Sequence, residues 1–356
     1  IKLIFFSENI IVTLFGFEYK QSGDILSVLV FYQVFFWFSL PFTTALQSTY
    51  NDNVLGKHGD FGGQYSFNNK TLVASIDGVG TKSIFIEKYL KEAGYYNLGQ
   101  DLVNHCINDI LVSGAYPLFF LDYFASSTIK TNEVVQFVKG ISFACRKSGC
   151  VLLGGETAEM PDVYKDNRTD LVGTIVGQTS LPTQICGKQN ICENDIVIGL
   201  PSTGLHTNGY SLIRKIKNEN ISAKHLKYLT QVHRSYLSEI QSLQHLGVKI
   251  NGLCHITGGG LVDNPPRILP KHLRMKLLKQ SWMNTDLTDF YDWIKTETGI
   301  KEEELYKVFN YGLGMLIIVN PNLYETICRV LRNTSFYLVG KIEKRVSVEL
   351  PQVEIQ

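Results

Sequence analysis

The chain has 356 residues, enough for two domains of ordinary size, each with its own core. Its 34 Lys and Arg nearly cancel its 33 Asp and Glu. No global field therefore draws it to nucleic acid, and no basic run with interleaved aromatics supplies a local one. Seven cysteines without a CxxC pair, and eight histidines without zinc spacing, fit reduced thiols in a cytoplasmic protein better than a disulfide framework.

Residues 1–52 differ in character from the rest. Residues 1–17 are mostly apolar, a polar island EYKQSGD follows, and residues 25–50 carry no charge and are crowded with aromatics from Phe31 to Phe38. That uncharged run is long enough to cross a bilayer. Against a spanning segment stand Pro41 and the lack of a flanking Lys/Arg cluster. There is no basic stretch or small-residue cleavage site of a signal peptide. A divergent cap or a frame-disturbed stretch are the other readings, and the last is preferred; membrane attachment is not expected.

From Asn53 the composition becomes that of an α/β protein. GKHGDFGG (56–63) is a glycine-rich loop whose Gly59, Phe61 and Gly62 could wrap a phosphate or a base. Residues 72–76 read as a buried strand, and residues 83–93 as a helix stopping at Gly94. Between them lies DGVGTK (77–82). Gly78 and Gly80 let the backbone turn close to a ligand, Asp77 suits a hard cation, and Thr81 and Lys82 suit phosphate. The spacing is neither that of a P-loop nor that of a dinucleotide fingerprint. An ordinary strand–helix turn is the competing reading.

Residues 99–111 place Leu102, Val103, Cys106, Ile107, Ile110 and Leu111 on one helical face, and Asp101, Asn104, His105, Asn108 and Asp109 on the other. Solvated faces favour Lys and Glu; short polar groups that are poor helix formers suggest a stripe turned to a ligand. A strand over 117–121 leads to Asp122, and Thr131 is expected to cap a helix with a stripe of Val134, Val138, Ile141 and Cys145 ending at Gly149. A strand at 151–153 runs into GGETAEMP, with a further strand at 171–178. Asp77, Asp122 and Glu156 would then be strand-end acids converging on one edge, where a cation relieves their repulsion. Separate turn residues are the bland alternative.

In the second half, a strand near 195–200 leads to PSTGLHTNGYS (201–211), with His206 and Asn208, then a helix reaching Ile216. HITGGG (255–260) is a second histidine-bearing loop with Thr257, Gly258 and Gly259. Hydroxyls and glycines before a helix make an anion seat. The strand 316–319 is expected in the core, and the domain boundary near 179–190.

Taken together, DGVGTK, NDI…SGAYPLFFLDYFA (108–125), SGCVLLGGETAEMP (148–161), LPSTGLHTNGYSLIRKI (200–216), HITGGGLVDNPPRILP (255–270) and FNYGLGM (309–315) resemble the aminoimidazole ribonucleotide synthetase (phosphoribosylformylglycinamidine cyclo-ligase) family, in order and spacing, from about 53 to 344. The resemblance implies an α+β or α/β two-domain protein: an N-terminal domain over 53–178, pairing through its sheet into a barrel in a homodimer, and a C-terminal α/β domain over 179–356. It implies ATP and Mg²⁺, with formylglycinamidine ribonucleotide as substrate. Asp77, Asp109 and Glu156 would hold the metal, Lys82, His206 and His255 would act in catalysis, and Arg234 would sit in a segment where the family has Pro-Thr-Arg-x-Tyr. Asn108, Asp122 and the loop residues above would bind nucleotide or substrate. YKQSGDI (19–25) is similar to the family's opening with one residue missing, before the foreign aromatic run. A related ATP-using enzyme of the superfamily and a catalytically silent dimer are the alternatives. No N-terminal catalytic cysteine or C-terminal cysteine tail supports selenium or hydrogenase roles.

Overall fold

The computed structural model describes residues 52–56, 59–165 and 168–356. The aromatic run, YKQSGDI, Lys57 and His58 lie outside the described residues. The chain divides into two units, Ile1–His58 and Gly59–Gln356. Of the first, the described part holds a two-residue strand, Val54–Leu55.

In the second unit the first sheet comprises β1 (Gly63–Phe67), β2 (Lys70–Gly78), β3 (Tyr116–Ser126), β4 (Val151–Glu159) and β5 (Thr169–Thr179). Their order is β1-β2-β5-β3-β4, antiparallel except for the β3–β4 pair. Strand alternation gives this sheet two unlike faces. Val73, Phe120, Phe124, Leu171 and Ile175 point to the core, beneath α2 (Gly94–Leu111) and α3 (Thr131–Lys147). Tyr65, Phe67, Ile76, Leu121 and Val151 stand exposed, as does Leu153.

Helix α1 (Lys82–Leu90) begins within DGVGTK. It ends at Lys91, which takes φ +52°, and a short 3₁₀ turn follows. Gly94 is therefore not the expected stop but the first residue of α2, where a Cβ would lie 2.3 Å from Ile86 Cγ2. Tight helix packing, rather than chain reversal, requires this glycine. The same holds between α2 and α3: a Cβ on Gly99 would meet the Phe137 carbonyl at 2.3 Å, and one on Gly140 the Tyr96 carbonyl at 2.1 Å. The buried stripe of α3 is Phe137, Gly140, Ile141, Ala144 and Cys145. Val138 is exposed, and Thr131 is the first helical residue without a capping bond.

The second sheet comprises β6 (Ile196–Pro201), β7 (Gly252–His255), β8 (Leu273–Leu277), β9 (Leu313–Val319), β10 (Tyr337–Lys344) and β11 (Val353–Ile355). They run in the order β11-β8-β10-β6-β9-β7. Strand β9 is buried along its whole length, as its unbroken apolar sequence predicts. The helix expected to reach Ile216 is a single turn, Tyr210–Ile213. All seven cysteines are free thiols. Among the described residues no helix is long and apolar enough to cross a membrane.

Candidate functional site

The polar stripe of α2 is buried, but much of it is spent on protein. Asp101 and Lys82 form an ion pair at 2.8 Å with neither side chain exposed, and the Lys82 ammonium also donates to the Gln231 carbonyl at 2.8 Å. Asp101 accepts the His233 amide at 2.6 Å. Asn104 donates to the His233 carbonyl at 2.7 Å. Asn108 donates to the Arg234 carbonyl at 2.8 Å and accepts the Tyr236 amide at 3.0 Å. The stripe thus fastens α2 to the segment 231–236. Short side chains are what such a seam demands, because each bridges two backbones at fixed distance.

One turn further along, the seam changes character. The His105 Nε2 lies 2.9 Å from Asp77 Oδ2 and 3.7 Å from Asp109 Oδ2, while its Nδ1 meets the Thr207 hydroxyl at 2.8 Å. Asp109 Oδ1 lies 2.8 Å from His255 Nδ1, and its other oxygen accepts from Ser75 at 3.3 Å. His255 Nε2 is 3.1 Å from His233 Nε2, and the His233 ring stacks on His206 with centroids 3.8 Å apart. Four histidines from α2, two loops and β7 therefore cluster, and two of them, His105 and His255, meet the two carboxylates. Of these groups Asp77 is the open one, with 41 % of its side chain exposed.

Burial and charge act against each other here. Burial disfavours the His105 cation, but Asp109 and Asp77 outweigh it and push its pKa up to about 9. Burial alone would raise the Asp77 carboxyl; His105 and the Gly78 amide, which donates at 2.6 Å, hold it below its ordinary value. Burial drives His206 and His233 well down, with neighbouring histidines adding to the effect. His255 is also lowered by burial, against the pull of Asp109. Burial lowers Lys82 and raises Asp101, each opposed by the other's charge.

The structure brings together Asp77, Asp109, His206 and His255 as the sequence suggested, and it sets other residues apart. Lys82 is sealed against Asp101, so its charge does not face an open phosphate site. The acids do not share a strand-end edge: Asp122 and Glu156 lie inside β3 and β4, because both strands run on through their glycines and acids. Asp77 and Asp122 do share a row and a face, each paired with Gly173 of β5. Asp122 lies against Gly155, where a Cβ would be 2.3 Å from its carboxylate, and burial raises its pKa. Glu156 pairs with Tyr123 on the opposite, open face and is exposed.

Of the loop residues, Gly80 takes φ +54° in open space, and the Thr81 hydroxyl meets Ser211 at 3.0 Å, joining the DGVGTK turn to the 201–211 loop. Asn208 lies beside Gly258, and the Thr257 amide is taken by the Asn264 side chain at 2.8 Å. Gly258 is exposed, and Gly259 has φ +100°. Phe61 packs under Arg267, 5.0 Å from ring centre to guanidinium, and its carbonyl accepts from Ser75; a Cβ on Gly62 would press on Val73, while Gly59 has open space. Arg234 is committed to Glu239 at 2.6 Å and to the Pro201 carbonyl at 2.9 Å. Beside it opens a 670 Å³ cleft whose walls include Asn104, Lys147, Thr203, His233 and Arg234.

Two residues belong in the site to which the motifs gave no individual role, although His105 was on the polar stripe read as facing a ligand. His105 sits one helical turn before Asp109, and that i, i+4 spacing was the available signal. His233 stands where the motif has another residue type, and its placement between His206 and His255 depends on tertiary structure.

The family profile described as AIR synthase related protein, N-terminal domain, matches residues 59–179, and the corresponding C-terminal domain profile matches residues 193–351. Relatives named phosphoribosylformylglycinamidine cyclo-ligase include that of Thermoanaerobacter pseudethanolicus, 38% identical over 83% of this chain and 90% of its own. That of Nitrosospira multiformis is 41% identical over 80% of this chain and 82% of its own. Among solved structures, a ThiL protein complexed with AMPPCP and TMP has TM-score 0.61 at 16% identity, covering 90% of this chain and 92% of its own. The hydrogenase maturation protein HypE in complex with ATP has TM-score 0.60 at 16% identity, covering 86% and 85%. At such identities these two show the fold.

Proposed function

Because this chain belongs to the phosphoribosylformylglycinamidine cyclo-ligase family, whose ring closure in purine biosynthesis is ATP-dependent, we propose that the seam around Asp77 and His105 is where it closes formylglycinamidine ribonucleotide to 5-aminoimidazole ribonucleotide. The observation that carries this reading is the meeting of Asp77, Asp109, His105, His206 and His255 at one seam, with a half-open carboxylate at its mouth.

The chemistry asks for position and charge neutralisation rather than a protein nucleophile. ATP phosphorylates the formyl oxygen; the amidine-side nitrogen attacks the formyl carbon and phosphate leaves. The exposed oxygen of Asp77 and the carboxylate of Asp109 fit a hard dication. Asp77 and Asp109 would hold Mg²⁺, whose charge would offset that of the phosphates. The flexible Gly78–Gly80 turn and Thr81 would follow the phosphates, with Asn208, Thr257, Gly258 and Gly259 opposite them. His255, between Asp109 and His233, would hold Asp109 in place, and His206, neutral through burial, would give or take a single hydrogen bond to substrate. Lys82 keeps α1 and α2 in register with the segment 231–236, so its role is positioning.

We assign the open apolar face of the first sheet to a second copy of the chain. Exposed Ile76, Leu121, Val151 and Leu153 form a surface of the kind that marks an interface. Glu156 lies on this face, so any part it takes in metal binding belongs to the paired state. A cytoplasmic location follows from the same reading. Incubation with formylglycinamidine ribonucleotide, ATP and Mg²⁺ should yield ADP, phosphate and aminoimidazole ribonucleotide in equal amounts. A folded chain that releases none of them would sink the proposal. Light scattering should report a dimer that Ile76→Asp dissociates; a monomeric parent chain would remove the pairing.

A further inference from the structure

The thiols take no part in the proposed reaction, yet two of them are held together by the way α3 ends. The helix runs to Lys147 with Ser148 as its cap, and Gly149 takes φ +65°. The Gly149 amide then donates to the Arg146 carbonyl at 3.3 Å, and the Cys150 amide to the Cys145 carbonyl at 2.8 Å. These are the two bonds of a Schellman ending, which brings the residue two places beyond the cap against the last-but-two residue of the helix. Such a contact is commonly made by apolar side chains. Here it is made by Cys145 and Cys150.

A single backbone hydrogen bond leaves the Cα atoms of its two residues about 5–6 Å apart, which is where a disulfide places them. The two thiols also hydrogen-bond to one another. That bond lowers the pKa of Cys150 and raises that of Cys145, with burial adding to the rise at Cys145. Cys145 is therefore the donor and Cys150 the sulfur nearer to thiolate. The Cys150 proton has its own acceptor, the Val151 carbonyl at 4.0 Å. Asp122 and Cys106 act on Cys145 and keep it neutral. Arg146 and Lys147, in the last turn, set positive charge against the negative end of the helix. Cys106, Cys192 and Cys254, by contrast, give their thiols to backbone carbonyls.

We propose that Cys145 and Cys150 form a peroxide-reactive thiol pair that closes to an intrachain disulfide, tying the end of α3 to β4, the edge strand of the first sheet. Cys150 is 7 % exposed and Cys145 2 %, so a small hydroperoxide meets Cys150 first. The Cys150 thiolate attacks one peroxide oxygen, the O–O bond breaks, and hydroxide leaves and takes up a proton as water. The product is a sulfenic acid on Cys150. Cys145 gives up its proton and attacks that sulfur, the S–O bond breaks, and a second water leaves. Two thiols are oxidised by two electrons and one hydrogen peroxide is reduced to two waters. A thiol reductant reverses the change. No residue of the Asp77 seam is involved, so the pair stands apart from the ring-closure reading.

The sequence between the two cysteines supplies the assay. Trypsin cuts after Arg146 and Lys147, which leaves Cys145 in Gly140–Arg146 and Cys150 in Ser148–Lys165, each peptide with one cysteine. The folded full chain is treated with hydrogen peroxide, its free thiols are alkylated, and the digest is read by mass spectrometry. The two peptides should appear joined, about 2 Da lighter than their sum, and should separate on reduction. Alkylated Cys145 and Cys150 in a sample whose exposed Cys192 has been oxidised would overturn the proposal, as would either cysteine joined to a different one. In Cys145→Ser, Cys150 should be trapped as a sulfenic acid by a cyclic 1,3-diketone; in Cys150→Ser, Cys145 should not. The opposite labelling would overturn the assigned order of attack. Should either variant fail to fold, the joined peptides of the parent chain decide alone.

Discussion

Asp101 and His105 are neighbours on one face of α2, one helical turn apart, and each meets a group of opposite charge. Lys82–Asp101 is sealed on all sides; His105–Asp77 ends in a carboxylate that solvent reaches. The sealed pair has spent its charges on one another and on the backbone of 231–236, so nothing remains for a ligand. The open pair has a second carboxylate beside it, and its own carboxylate remains partly turned to solvent. Charge and burial alone do not separate a structural pair from a chemical one. Whether the valences are already filled does.

The largest effect on the comparison should come from breaking the sealed pair. Lys82→Met leaves Asp101 buried without a counter-charge and should cost about 3–5 kcal/mol in urea unfolding. Lys82→Met with Asp101→Asn keeps an acceptor for the His233 amide, and should recover at least half of that loss. A small loss in the single variant would mean that the pair is not sealed.

The open pair should show the reverse pattern. Asp77→Asn should lower Mg²⁺·ATP-dependent turnover by about 100-fold or more, through loss of charge at the metal. Its unfolding free energy should change by less than about 1 kcal/mol, because Asp77 is half exposed. Near-normal turnover would remove Asp77 from the metal site.

A third pair, at the rim, calibrates the other two. The Lys279 ammonium beside Glu302 holds that carboxyl below its ordinary 4.5, in part-exposed surroundings. A lowered folded pKa means stability that is present above the ordinary value and lost as pH falls through the folded one. Glu302→Gln should therefore cost about 0.5–1 kcal/mol at neutral pH, less in high salt, and nothing once pH is below the folded pKa. A cost that persists in acid would point to packing instead of charge.

How much of this was legible follows from the same contrast. The stripe on α2 announced itself because Asp, Asn and His are poor choices for a solvated helix face, and every one of those positions is covered or nearly so. Which members were glue and which were chemistry was not legible, since Lys82 and Gln231 are far apart in sequence. The four strands between Leu72 and Gln178 were readable as apolar runs, but β3 and β4 continue through Asp122 and Glu156. Pairing with neighbouring strands overrides the turn preference of glycine and acid there. Gly94 was misread for a related reason: a glycine that ends a helix and one that lets two helices touch look alike in one dimension.

Ring closure at this seam is proposed to pass through a formyl oxygen phosphorylated by ATP. Formylglycinamidine ribonucleotide carrying ¹⁸O in its formyl group tests it most directly. The prediction is that the label appears in inorganic phosphate, one atom per aminoimidazole ribonucleotide formed. Unlabelled phosphate accompanying ring closure, with the label released to water, would contradict it.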